Sequence, residues 1–160
     1  MKSIGSGFRG WRALLVCAVL ALAVSSTSRA HESMRVAAKN KEVVVAFYNM
    51  IFQDHKVREA VDKYVGDRYI QHNPLVPDGT KVLIEFMEPY FAKNPTARSE
   101  IKRAVAEGDL VFLHVHAKSS ETDRGMAVVD IFRVENGKVV EHWDVVQPIP
   151  EKANNSNTMF

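Results

Sequence analysis

Asn136-Gly137 stands between two runs of alternating apolar residues, 128–134 and 139–146, and constrains the fold more than any other feature of the chain. Asn-Gly placed this way is the strongest short-range sign of a β-hairpin, because both residues tolerate the positive φ of a tight turn between twisted strands. The β-branched and aromatic content of both runs agrees. Yet Asp130, His142 and Asp144 sit inside these runs. Ionisable groups in a half-buried strand need partners or a purpose.

The turn decides which of them share a face, since strand side chains alternate with a period of two. With a two-residue loop, Glu135 pairs with Lys138, and Asp130 falls on the face of Trp143, opposite His142 and Asp144. With a three-residue loop, Glu135-Asn136-Gly137 closed by a left-handed Gly137 in a bulge, the register moves by one and Asp130 joins them. The second register also gathers Val128, Phe132 and Val134 into an apolar wall holding three ionisable groups, a mixture that suits a pocket. The hairpin residues alone leave both registers open.

Residues 1–30 read as a secretory leader outside the fold. Lys2, Arg9 and Arg12 precede an apolar run over 13–24, and Ser28-Arg29-Ala30 offers small residues where a signal peptidase cuts, so cleavage is expected after Ala30. The run is short for a membrane span. A secreted or periplasmic domain over 31–160 follows. Cys17, the single cysteine, lies in the leader, so the mature domain has no disulfide. Losing Lys2, Arg9, Arg12 and Arg29 takes Lys plus Arg from 21 to 17 against 19 acidic residues, turning the net charge from +2 to −2. Nothing then favours nucleic acid, which needs a basic patch interleaved with aromatics.

Helical periodicity predicts one helix over 40–54, with Val43, Val44, Phe47, Met50 and Ile51 as its apolar stripe, and a second over 57–65 stopped by Gly66. A short extended piece over 69–72 ends at Asn73-Pro74, and a third helix covers about 81–92, with Pro89 a kink or late terminator. Strands follow over 99–106 and 110–118, joined at Glu107-Gly108-Asp109, and then the hairpin. Three helices and a four-stranded antiparallel meander read as α+β, a curved sheet folded over its helices. The tail 151–160 is polar until Met159-Phe160 and reads as flexible.

His114 and His116 alternate with Leu113, Val115 and Ala117, so both imidazoles share one face. They could ligate a metal with a third ligand from His72, Asp130, His142 or Asp144, or could be pocket lining or ordinary strand histidines. No metal or cofactor is assigned. Asp144 is the first choice for acid–base work, because a carboxyl against apolar walls and near Asp130 is held toward its neutral form. His142 could orient either carboxyl. The plain alternatives are ion pairs and solvated strand residues. Trp143, with Val139, Val145, Val129 and Ile131, makes the sheet's other face apolar enough to predict a homodimer, unless the tail covers it.

Tyr69-Ile70-Gln71-His72-Asn73-Pro74, Glu107-Gly108-Asp109 before His114 and His116, Asp130-Ile131-Phe132-Arg133, and the run from Asn136 to Asp144 resemble the SnoaL-like polyketide cyclase group of the nuclear transport factor 2-like superfamily. The resemblance covers nearly all of the mature chain. It implies a cone-shaped α+β barrel enclosing a pocket, dimers through the sheet, and an aspartate on the last strand, matched by Asp144, that moves a proton for an aldol condensation without metal or cofactor. Asp130 is similar in position to a pocket aspartate of ketosteroid isomerases, a worked case of a protonated carboxyl donating to an enolate, and this favours the three-residue loop. The isomerase base falls near Asn73, whose amide cannot abstract a proton.

The expected function is enolisation of a small carbonyl compound. Asp144 takes the α-proton, Asp130 or His142 bonds the enolate, and His72, Asn73, His114, His116, Phe132 and Tyr48 position substrate. The competing expectation is a noncatalytic module binding a small hydrophobic ligand in the same pocket.

Overall fold

A computed structural model describes residues 9–160, with side chains from residue 28 onward. Residues 1–8 of the expected leader lie outside the described residues, as do the side chains of 9–27, Cys17 among them. The chain forms two compact units, Met1–Arg35 and Val36–Phe160, and the core described below belongs to the second.

The first helix, α1, spans Arg9–Phe52, starting well before the expected residue 40. From Val36 onward its buried positions are Ala37, Asn40, Val44, Phe47, Tyr48 and Ile51, a stripe at helical spacing. Val43 and Met50, expected within that stripe, lie at its margins, packed against the core. Helix α2, Val57–Tyr64, buries Val57, Ala60 and Val61. Helix α3, Thr80–Lys93, runs through Pro89 and buries Ile84, Met87 and Phe91.

Five strands follow the order β1-β5-β4-β3-β2, where β1 is Val65–Gln71, β2 Arg98–Glu107, β3 Leu110–Lys118, β4 Met126–Glu135 and β5 Lys138–Pro148. Four form the expected antiparallel meander. The fifth corrects the expected purely antiparallel sheet: β1 contains the short extended piece and pairs with β5 in parallel, setting Gln71 beside His142. The edges β1 and β2 do not meet, so the curved sheet is an open cone rather than a closed barrel.

The hairpin answers the register question in an unexpected way. Glu135 pairs with Lys138 across a two-residue turn whose Asn136 and Gly137 have φ of 51° and 74°, both in the left-handed region, so the favoured three-residue loop is not formed. One step further, Val134 pairs with Val139 but Arg133 with Glu141, leaving Val140 as an extra residue in β5. That bulge shifts the register by one and brings Asp130 opposite Asp144 and Phe132 opposite His142. It also accounts for consecutive residues Val139 and Val140 both being buried, at 0% and 4% exposure. Val139 therefore belongs to the core, which corrects its expected place on the face of Trp143.

Val111, Leu113 and Val115 of β3 and Val128, Asp130, Phe132 and Val134 of β4 form the buried face of the sheet. Phe132 meets Phe47 edge-on with ring centres 5.9 Å apart, a contact between α1 and β4. Between β3 and β4, Gly125 has φ of 84°, and a Cβ there would overlap the Ala117 carbonyl oxygen. Gly125→Ala is therefore expected to destabilise the domain by about 3 kcal/mol or more through strain and overlap. A thermal melt close to that of the parent protein would contradict this.

Candidate active site

Two apolar chambers, of about 410 Å³ and 310 Å³, share Tyr48, Phe52, Phe86, Met87, Asp130 and Asp144 among their lining residues. The helices supply the aromatic walls and the sheet supplies the ionisable groups. Asp130 and His142 are buried, at 6% and 8% exposure, whereas Asp144 is half-buried.

The protons in this wall can be placed from hydrogen-bond complementarity. The Gln71 Oε1 accepts the Asn73 backbone N–H at 3.0 Å and lies 2.8 Å from His142 Nδ1. A carbonyl oxygen can only accept, so His142 Nδ1 carries a proton. His142 Nε2 is 3.0 Å from Asp130 Oδ1. That contact needs one more proton, held as imidazolium against carboxylate or as carboxylic acid against neutral imidazole. Asp130 lines both chambers, with its Oδ2 buried and the Tyr48 hydroxyl as the neighbouring donor to its carboxyl.

Asn73 fixes the other carboxyl. Its Oδ1 accepts the Leu75 N–H at 2.9 Å, which aims Nδ2 at Asp144 Oδ2, 2.7 Å away. The donated bond suits an ionised Asp144 acceptor. The turn that the sequence marks with Asn73-Pro74 thus presents an amide to the proposed base.

Tyr48 and Tyr69 are buried beside these groups. Burial, then the charge of Asp130, and for both also that of Asp144, raises each phenol well above its ordinary value of 10.0. Both remain neutral donors near pH 7. The unfolded chain gives up these protons above pH 10 while the folded chain retains them. Stability is therefore expected to fall as pH rises past 10, by up to about 1.4 kcal/mol per unit for each tyrosine. Tyrosinate absorbance should appear together with unfolding, and ionisation of every tyrosine in a still-folded protein would contradict the assignment.

The structure gathers Asp130, His142, Asp144, Asn73, Phe132 and Tyr48 around the chambers. It does not bring the other three expected residues there. His72 stacks on Trp143 with ring centres 4.5 Å apart and meets Glu141 at 2.8 Å on the outer face. His114 and His116 also point outward, because Leu113 and Val115 take the buried face of β3. Their rings stack with Phe160 at 5.4 Å and 4.5 Å, where the tail folds back instead of hanging free. Among the described residues, the group placed to hold a metal is Asp130, His142 and Asp144, whose ligand atoms lie within 4.8 Å of one another, and it does not include those outer histidines. Sequence reasoning did not single out Gln71. Its position at the end of an extended piece was visible, but its role depends on the parallel pairing with β5.

An open α+β cone with carboxyls and an imidazole lining an apolar cavity is a fold of the nuclear transport factor 2-like kind. The sequence matches the SnoaL-like domain over residues 44–142, and the chain belongs to that family. Among curated proteins, none matches. Similar solved structures include TsrD from Streptomyces laurentii, 17% identical over 68% of this chain and 88% of that one, with a TM-score of 0.55. A candidate polyketide cyclase from Bacillus cereus is 20% identical over 68% and 74%, with a TM-score of 0.57. A candidate ketosteroid isomerase from Kribbella flavida is 12% identical over 78% and 89%, with a TM-score of 0.59. At these identities the likeness shows the fold.

Proposed function

We propose that this domain enolises an apolar carbonyl compound, as an aldol-cyclase or isomerase-type enzyme. The observation that carries the reading is the proton arrangement: an amide-held Asp144 faces the same space as a buried Asp130–His142 couple that holds a proton. Asp144 takes the hydrogen α to the carbonyl as a proton. In the imidazolium form, His142 Nε2 passes its proton to the carbonyl oxygen, giving the enol, protonated Asp144 and neutral His142 beside the Asp130 carboxylate. Charge is conserved through the step. The Tyr48 hydroxyl supplies a further neutral donor, and the aromatic walls exclude water from the developing charge. The carbon nucleophile so formed can attack a second carbonyl or be reprotonated elsewhere. Residues of this chain suffice for the proton movements.

The test is hydrogen–deuterium exchange at the α-carbon of a panel of apolar ketones in deuterated water, followed by NMR. Protein-catalysed exchange is expected. Ketones that occupy the cavity without accelerated exchange would overturn the reading in favour of a binding module.

The proposal includes export of the 31–160 domain, supported by the basic, apolar and small-residue pattern of residues 1–30. It also includes pairing through the outer face of β4 and β5, where Val129 and Val145 are 37% and 68% exposed. Val145→Glu should then yield a monomer in sedimentation, and an unchanged mass would remove that interface.

A further inference from the structure

Asp130 and Asp144 stand at a waist, with one chamber on either side. Along β4, Phe132 lines the first chamber, Asp130 both, and Val128 the second. Along β5, His142 lines the first, Asp144 both, and Val146 the second. Helix α3 repeats the order, with Leu83 in the first, Phe86 and Met87 in both, and Tyr90 in the second. Within each strand the lining residues alternate with outward-facing ones, and Val128 pairs with Val146 as Asp130 pairs with Asp144. The two chambers are therefore consecutive lengths of one cavity that follows β4 and β5. Each length reaches the surface, the first at the exposed Leu75 and the second at the exposed Val146. The acid–base atoms of Asp130, His142 and Asp144 lie within 4.8 Å of one another, so they serve one carbonyl. Beyond them, Phe132 and Leu83 on one side and Val128 and Val146 on the other offer apolar contact.

We infer that the substrate is an elongated apolar ketone whose carbonyl is internal, with one apolar arm in each chamber and the reacting carbon at the waist. The carbonyl's place rests on the enolisation reading, which puts the base and the proton donor there. Phe132 and Val128 flank Asp130 at equal spacing along β4, so each arm has about 7 Å of strand to lie against, at about 3.3 Å per residue. A ketone with its carbonyl near one end would fill one chamber and leave the other to water, forfeiting burial on that side. Selectivity is then set by where the carbonyl stands along the molecule, and not by carbon number alone.

The experiment compares two isomers, 6-undecanone and 2-undecanone, on the intact protein. Each rate of α-hydrogen exchange, measured below saturation, is divided by that ketone's own rate in buffer, which removes the difference in intrinsic acidity. The protein should accelerate 6-undecanone about tenfold more than 2-undecanone, the margin given by burying about two further methylenes. A second measurement reads position without chemistry: in protein carrying 13C-labelled leucine and valine methyls, 6-undecanone should shift the signals of Leu83 and Val128 together. Equal acceleration of the two isomers, faster exchange of 2-undecanone, or a shift at Leu83 or Val128 alone would each overturn the assignment. Absence of exchange with every ketone, butanone included, would overturn the enolisation reading instead, and the methyl signals would still decide whether the ligand occupies both chambers.

Discussion

Asp144→Asn is expected to lower α-hydrogen exchange by about a hundred- to ten-thousandfold, the contribution typical of a positioned general base. An amide is nearly isosteric with the carboxylate but cannot accept the proton. The substitution should spare the architecture, because the amide oxygen it introduces can still accept the bond that Asn73 Nδ2 donates to Asp144 Oδ2. Exchange rates and thermal melts together provide the check. A large fall in rate with a parent-like melt assigns the base, whereas undiminished exchange in the folded variant removes Asp144 from the role. Asn73→Ala should have a smaller effect on rate, since it withdraws an orienting bond and leaves the base in place.

His142→Leu is expected to cost about 3–5 kcal/mol of stability, because it removes one member of a buried pair and strands the other. Asp130 Oδ1 has His142 Nε2 as its partner, so the variant leaves this buried carboxyl with the Tyr48 hydroxyl alone as a neighbouring donor. Gln71 Oε1 also loses one of its two donors and keeps the Asn73 N–H. Replacing both members with leucine should recover much of the loss, since well-packed apolar side chains can match or exceed a buried pair in stability. Chemical denaturation of the two variants is the measurement. If the single and double variants are equally destabilised, the cost is one of packing and not of a stranded carboxyl.

The hairpin and its three ionisable residues were legible in the sequence because turn chemistry and period-two alternation are local. The α+β class and the three helices followed from local patterns of the same kind, whereas the gathering of Asp130, His142 and Asp144 was favoured only by the family resemblance, since the hairpin residues left both registers open. The route to that gathering was not legible. Val139-Val140 looks like ordinary strand sequence, and only pairing across β4 shows that one of them is surplus. The histidines of β3 were misleading for a related reason. Both alternating sets, Leu110-Phe112 and Val111-Leu113-Val115, are apolar, so alternation could not say which set faced the helices. Gln71 needed a parallel partner some seventy residues away, and no local signal announces one.

Val140 also changes how variation in this stretch should be read. Its side chain could be exchanged for another of similar size at little expense, and because Val140 is the residue without a partner in β4, removing it outright would restore a simple ladder in which Glu141 still meets Arg133 and Asp144 still meets Asp130. Flattening the bulge at the present chain length is what would exchange the faces, setting Trp143 opposite Asp130 and turning Asp144 outward. For residues 138–144, the extra residue and the bulge that absorbs it therefore have to occur together for the chemistry to be preserved. A relative one residue shorter between the Asn-Gly turn and the final aspartate is thus expected to lack the bulge and to keep its aspartate on the inner face.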